Sequence, residues 1–315
     1  MTSQGGPGRS APAFEGCIRR SLKAHHVSNA RSPQSDPAVP ILIYDHTDLP
    51  TIVSSFRAGA VDLVRGLRAE YIWRTLGLND VKRRYRRSRL GQLWFTLSMF
   101  LLVFGLALIL GNLFGSNIKS VLPYFAVNMV FWSFFTATAQ ELCTGFVDAE
   151  SYLRQIAGPL CAYIARTIFR NLLILAHNLV IIPLVFLYAG FMPGRSFWLI
   201  VPGLFLVLTV MFSWGLVLAT LTARFRDIPQ AVQNLMQLLF FVTPIMFRPE
   251  QISPDLWFWL RWNPFHWLLS VLRDPILGGT IDYANFVGVG AMAVLGLPLS
   301  VTFFGRYRNR IVYWV

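Results

Sequence analysis

The chain has 315 residues, 55% of them hydrophobic and only 14% charged. Soluble domains carry about 25% charged residues, so this composition excludes an ordinary soluble protein and leaves no length for a large soluble enzyme domain beside a membrane body. Lysine and arginine total 28 against 15 acidic residues, a net charge of +13; because the basic residues flank apolar runs, they read as topology determinants and lipid-headgroup contacts, and no nucleic acid is expected as a partner.

Residues 1–54 form a leader. Positions 1–50 are rich in Pro, Gly, Ser and Ala without apolar periodicity, the pattern of a disordered segment, with a short extended piece at 41–44. Residues 1–40 hold no apolar h-region, so no cleavable signal peptide is expected; the N-terminus should stay in the cytoplasm and the first span should act as the signal. Residues 55–92 are expected to form cytoplasmic interface helices. Between 55 and 76, Phe56, Ala60, Leu63, Val64, Leu67 and Tyr71 recur at steps of three and four, and Arg57, Asp62, Arg65, Arg68, Glu70 and Arg74 fill the other face. That is an amphipathic helix suited to the headgroup layer. Gly77 is expected to end it and Asn79 to cap a second, short helix. This second helix carries Lys82, Arg83, Arg84, Arg86, Arg87 and Arg89, after which no charge occurs until Lys119. A basic cluster abutting so long an apolar run is a cytoplasmic anchor leading into a membrane-spanning helix.

Residues 93–315 then form a six-span transmembrane domain, and the fold class is an all-α membrane protein. The expected spans are 93–112, 121–142, 163–188, 197–222, 229–247 and 284–305, each reaching or nearly reaching the ~20 residues that cross hydrocarbon. With the N-terminus inside, short inner segments hold the 82–89 cluster, Arg154, Arg166, Arg170, Arg224, Arg226, Arg306, Arg308 and Arg310. Outer segments hold only Lys119, Arg195, Arg248, Arg261 and Arg273. The positive excess thus lies inside, and an even span number returns the C-terminus to the cytoplasm. Residues 249–283 are too long for a turn and too aromatic for a solvated loop. Two short apolar pieces, 254–262 and 264–274, are separated at Asn263-Pro264; neither can span, so they read as a re-entrant hairpin on the outer side. It is either a gate over an outward opening or a Trp-rich flap that anchors span five. The candidate gate residues are Trp257, Trp259, Trp262, Asn263, Pro264, Trp267 and Arg273.

Several chemistries lack their residues. The three cysteines form no CxxC pair, and the five histidines show no HExxH spacing. No phosphate-binding loop is present, since Lys23, Lys82 and Lys119 follow Leu, Val and Ile; no GxSxG and no paired carboxylates suggest a hydrolase. Neither a catalytic residue, nor a metal site, nor a bound cofactor is expected. The middles of the spans hold no ionisable residue but His177, read as a helix-packing group, which argues against a proton- or ion-coupled carrier. The chain reads as a membrane body without its own energy source. Its inner loops carry short charged segments of the kind a cytoplasmic motor pushes on: Asp148, Glu150, Tyr152 and Arg154 within 143–160, and Arg226-Asp227 between spans four and five. The alternative for both is simple charge anchoring.

The stretch Arg84-Tyr85-Arg86-Arg87-Ser88-Arg89-Leu90-Gly91-Gln92-Leu93-Trp94, then Arg226-Asp227-Ile228, Thr243-Pro244-Ile245, Asn263-Pro264-Phe265 and Arg273, resembles the permease subunits of type-2 ABC exporters for lipid-linked polysaccharides. This Wzm-like family exports O-antigen, teichoic acid or galactan. The resemblance covers 55–315; the leader is a departure from it. It implies a multi-pass protein of the cytoplasmic (inner) membrane, a homodimer working with two copies of a cytoplasmic ABC ATPase subunit that holds ATP and Mg, and a lipid-linked polysaccharide as substrate. It implies a glycan channel along the dimer interface lined by aromatic residues, an outer gate built from the hairpin, and a coupling helix at 143–158. Sugar rings stack their C–H faces on aromatic rings, which makes Trp94, Phe95, Phe100, Phe104, Trp132, Phe135, Phe240 and Phe241 the channel candidates against a lipid-facing or core role. Arg84, Arg86, Arg87 and Arg89 suit the diphosphate of a lipid-linked donor, or act as the positive-inside anchor alone. Two other functions stay open. A type-2 exporter of a drug or small lipid would have a narrower pore without aromatic lining. A membrane glycosyl- or acyltransferase would need a base among Glu250, Asp255, Asp274 and Asp282, none of which is paired in a motif.

Overall fold

The computed structural model describes residues 51–84, 93–113, 117–155, 158–248, 252–278 and 280–315, and among them the only regular structure is helical. Residues 1–50 of the leader, Arg86, Arg87, Arg89 and Glu250 lie outside the described residues, while 52–54 of the expected leader open the first helix.

In chain order the helices are α1 (Ile52–Arg68), α2 (Glu70–Arg84), α3 (Leu93–Leu113), α4 (Ile118–Cys143), α5 (Glu150–Leu153), α6 (Cys161–Asn178), α7 (Ile181–Ala189), α8 (Ile200–Arg224), α9 (Ile228–Val242), α10 (Pro254–Leu260), α11 (Pro264–Leu277) and α12 (Tyr283–Trp314). Among the described residues, four stretches are long and apolar enough to cross a membrane: Ile118–Cys143, Cys161–Ala189, Phe197–Arg224 and Tyr283–Trp314. Leu93–Ile109 and Ile228–Val242 are shorter apolar helices. The α4 helix is the central pillar, touching α3, α6, α7, α8, α9 and α11. Its apolar window is 72% buried in protein, whereas that of α12 is 22% buried. The outward faces of α7, α8 and α12 (Leu184, Leu187, Val201, Phe205, Val287, Val294, Leu299) are therefore apolar and exposed, a surface suited to lipid.

Several helix boundaries differ from the expectation, among them the start of α1 at Ile52, the break between α6 and α7 and the end of α12 at Trp314; two others have a local reason. The first interface helix stops at Ala69, which leaves helical geometry at φ −74° and ψ 48°. Gly77 and Asn79, the expected stop and cap, both lie inside α2. Gly77 is needed for packing: a Cβ there would approach Phe169 Cδ1 to 2.9 Å. The helix α9 ends at Val242, five residues before the expected end of span five, because Thr243 takes an extended conformation (φ −87°, ψ 138°). A residue preceding proline is driven out of the α region, and Pro244 has no N–H to continue the ladder.

The helix α1 is amphipathic, but its protein-facing side is the small and polar one. Ser55, Gly59, Asp62 and Gly66 are buried, while Phe56, Val61, Val64 and Leu67 are exposed. A side chain on Gly59 would strike the Val301 carbonyl, one on Gly305 the Ser55 carbonyl, and one on Gly66 would meet Cys161 Cβ at 2.7 Å. The two backbones of α1 and α12 thus approach closely. Asp62, only 1% exposed, closes the contact: Oδ1 accepts the Cys161 N–H at 2.9 Å and Oδ2 accepts from Arg308 Nε at 2.5 Å. The first case satisfies an orphan N–H at the start of α6.

Candidate functional site

The coupling and gate candidates lie toward opposite ends of α12, whose Gly288 meets Trp267 and whose Val301 and Gly305 meet α1. At the end bearing α1 and α2, an ion-pair network joins three helices. Asp80 in α2 takes Arg166 Nε and Nη2 of α6, both at 2.7 Å, and Arg170 Nη1 at 3.2 Å. Glu141 at the end of α4 takes Arg170 Nη2 at 2.8 Å and Asn171 Nδ2 at 2.5 Å. Arg84 reaches the same Glu141 at 3.5 Å and lies 5.7 Å over the Phe95 ring. Both partners of the Asp80–Arg166 pair are mostly buried, where the planar fork of arginine fits a carboxylate in bidentate fashion.

The expected coupling segment abuts this network. Residues 144–149 form turns and α5 is a single helical turn, so the segment is shorter in helix than a 143–158 helix would be. Phe146 anchors it, fully buried beside Phe304 at 6.0 Å. Asp148 accepts from Thr144 Oγ1 at 2.8 Å, and Arg154 pairs with Glu150 at 2.6 Å; both are local and exposed. Tyr152 is different. Its ring lies 5.4 Å from the Arg166 guanidinium, so one arginine holds Asp80 with its fork and Tyr152 with its face. Arg226 and Asp227 sit apart: Arg226 donates to the Trp314 carbonyl at 3.1 Å, and Asp227 precedes α9 without a side-chain cap bond.

At the opposite end, the hairpin α10–α11 is bound to the segment after α9. Asn263 Oδ1 caps α11 by accepting from Phe265 N at 2.9 Å, and its Nδ2 donates to Thr243 Oγ1 at 2.9 Å. Arg273 Nη1 donates to the Tyr124 hydroxyl at 3.3 Å and to the Pro244 carbonyl at 3.4 Å; Nη2 donates to Ser270 Oγ at 3.1 Å, and Nε to Asp274 at 2.7 Å. The Tyr124 hydroxyl is also within 3.0 Å of the Pro244 and Phe247 carbonyls, and Asn128 Nδ2 donates to the Ile245 carbonyl at 3.4 Å. Pieces far apart in sequence, Thr243-Pro244-Ile245, Asn263-Pro264-Phe265 and Arg273, thus build one joint with α4. Pro264 occupies the first turn of α11, where its missing N–H is harmless. Trp267 Nε1 donates to the Arg261 carbonyl at 2.7 Å, and Trp262 packs edge-on to Trp267 at 6.3 Å. Trp259 is exposed, and Trp257 meets the His266 ring edge-on at 5.1 Å. Burial, then the charge of Arg273, push the His266 imidazole down to about 3, so the ring is neutral at working pH.

The channel candidates divide into two sets. Trp132 and Phe135 lie inside the core with Phe265 between them, at 5.7 and 6.5 Å, and Phe240 packs on Trp132 at 6.0 Å. Trp94, Phe100 and Phe241 are exposed on α3 and α9, with Phe100 stacked on half-buried Phe104 at 5.8 Å. Phe95 is half-buried under Arg84. The aromatic core therefore ties the joint to α4, whereas the exposed set faces away from the protein. His177 bonds within its own helix, Nδ1 to the Leu173 carbonyl at 2.7 Å. Nothing in periodicity singles out Asp80 or Glu141; the available signal is an acid in a run of arginines, and Arg166 and Arg170 one helical turn apart. Among the described residues no cluster of His, Cys, Asp or Glu could hold a metal ion.

A helical pillar, a broken fifth apolar helix and a tethered short hairpin make an all-helical membrane body, and the family match places it in the transporter class. Residues 72–277 match the ABC-2 type transporter family; the chain belongs to that family and is an integral membrane protein. It is 26% identical over 233 residues, covering 70% of this chain and 87% of the relative, to the O-antigen export system permease protein RfbA of Klebsiella pneumoniae. It is 22% identical over 241 residues, 75% of this chain and 92% of the relative, to the polysialic acid transport protein KpsM of Escherichia coli. A third relative, the O-antigen export system permease protein RfbA of Myxococcus xanthus, is 24% identical over 197 residues, 61% of this chain and 76% of the relative.

Proposed function

We propose that this chain is the permease subunit of an ATP-driven exporter that carries a lipid-linked polysaccharide from the cytoplasm to the outer side of the inner membrane. The observation that carries this reading is the similarity to O-antigen and polysialic acid transport proteins over 87% and 92% of their lengths. In this reading the chain crosses the membrane six times, with α3 and α9 as the first and fifth spans. The α1 and α2 end and both termini are cytoplasmic, and 249–283 is the outer gate. Residues 1–54 are a leader and 55–92 the interface region. Two copies of the chain work with two ABC ATPase subunits, which hold the ATP and Mg.

The coupling route follows contacts already described. Movement of the ATPase pair is received by 143–158. Tyr152 passes it to Arg166, and the Arg166–Asp80 pair moves α2 and α6 together. At the other end, α9 pulls on the hairpin through Thr243–Asn263 and Pro244–Arg273. Arg84 keeps a charge beside the entrance of α3, suited to a donor diphosphate. The exposed aromatic residues of α3 and α9 favour a glycan over a drug or small lipid, because a hydroxylated ring stacks on aromatic faces.

The test is co-expression with the ATPase subunit, affinity purification through this chain, and ATP hydrolysis with and without Asp148→Ala plus Arg154→Ala. Both residues make only local, exposed bonds, so the fold should persist. A stable complex whose assembly or substrate-stimulated hydrolysis is lost in the double variant supports the reading. If the chain purifies with no ATPase, the reading fails.

A further inference from the structure

We propose that the cavity behind the hairpin is a binding site for a neutral sugar residue of the exported glycan, separate from the channel between two copies. This rests on the exporter reading and names where that substrate is held after passage. The cavity has a volume of about 460 Å³ and lies between the start of α4, the hairpin and the start of α12. That size falls among small-molecule sites. Its walls combine an aromatic surface, Trp257 and Tyr124, with short hydroxyl and amide side chains, Ser270, Thr280 and Asn285. A sugar presents this pair of surfaces: apolar C–H faces and a rim of groups that both donate and accept.

Charge decides against an anion. Arg248 and Arg273 line the cavity, but so do Asp274 and Asp282. Arg273 is already bound to Asp274 at 2.7 Å. Arginines and acids cancel, so a phosphate or sulfate gains little, whereas uncharged hydroxyls find donors and acceptors side by side. His266 supplies the independent observation. It lines the cavity and is only 4% exposed, yet its Nδ1 has no hydrogen-bond partner. A buried polar atom without a partner is disfavoured; Nδ1 is sealed from the cavity as the ring stands, and a small turn of the imidazole toward the cavity would let it bond a ligand hydroxyl. The walls belong to the same residues that tie the hairpin to Pro244, so an occupied cavity would hold the joint closed and resist backsliding of the glycan.

The experiment uses the complex of this chain with its ATPase subunit in lipid nanodiscs. Galactose, glucose, rhamnose and N-acetylglucosamine, and inorganic phosphate as the anionic probe, are tested by saturation-transfer NMR. At least one sugar should show saturable transfer that phosphate does not displace. Trp257→Ala should weaken it by about threefold or more through loss of the stacking face. Thr280→Trp, which fills the mouth from an exposed loop position, should do the same, with the melting temperature of the complex unchanged. Absence of saturable transfer from every sugar, transfer unaltered in both variants, or displacement by phosphate would overturn the proposal. The exporter reading is scored separately, by depletion of this chain in cells. If lipid-linked glycan then accumulates inside while the purified complex binds no sugar, only the cavity proposal falls. If no glycan accumulates, the exporter reading falls with it.

Discussion

At the residue scale, Arg166 joins two of the contacts on which the coupling route depends. It binds Asp80 through two nitrogens at 2.7 Å and carries Tyr152 on its face at 5.4 Å. Asp80→Asn leaves two arginines facing a neutral amide in a mostly buried place. Breaking such a pair costs about 3 kcal/mol, so the detergent-solubilised protein should melt several degrees lower, read by thermal unfolding. Tyr152→Ala removes the other contact and leaves the Asp80 pair intact. It should keep the melting temperature and the ATPase complex while lowering glycan export per ATP hydrolysed. An unchanged export ratio would remove Tyr152 from the coupling route. Asn263→Ala acts at the far end: loss of the α11 cap costs about 1 kcal/mol and the Thr243 bond goes with it. Hydrolysis should persist while export slows, measured side by side in membrane vesicles.

At the element scale, hydropathy made the long helices legible, because a charge-free run near twenty residues has one physical meaning. The interruptions were less legible. Gly77 reads as a helix stop, yet it is the place where α2 touches Phe169; a small residue signals a turn and a close contact equally well. Asp62 reads as a solvent-facing residue of α1, yet it is buried on Arg308 and the start of α6. Only its distant partners could reveal that. The same holds for the joint: Thr243, Asn263 and Arg273 were legible as separate fragments, whereas their meeting depends on tertiary structure. The α1–α12 contact yields a direct test. Gly59→Leu collides with the Val301 backbone and should release α1 and let its backbone open, so that trypsin cuts after the already exposed Arg57, Arg65 and Arg68 in limited proteolysis. Gly105→Leu, where a Cβ meets nothing within 4 Å, should leave the cleavage pattern as it is.

At the scale of the whole molecule, α9 is incompletely used by one copy of the chain. Only Met236 of its fifteen residues is buried, and among the described residues its main contacts are with α4 and α8. Its outward face mixes Gln230, Gln233, Asn234 and Gln237 with Leu235, Leu238 and Phe241. Gln230 and Asn234 bond to each other at 3.2 Å, but lipid offers the remaining amide groups of this face no partner, so a second copy is the better neighbour, and a two-fold interface would bring α9 to itself or to α3. Phe241, 70% exposed, is the position to probe. Cys143 and Cys161 are buried, so Cys17→Ser gives a background without an accessible thiol among the described residues. In that background Phe241→Cys should form a covalent dimer with a flexible bis-maleimide in native membranes. Leu187→Cys, on α7 and more exposed still at 81%, should remain monomeric if α7 faces lipid. Dimer from both positions would mean random collision, and dimer from Leu187→Cys alone would move the interface to α7. In the latter case Trp94, Phe100 and Phe241 would face lipid and the aromatic channel would have no walls.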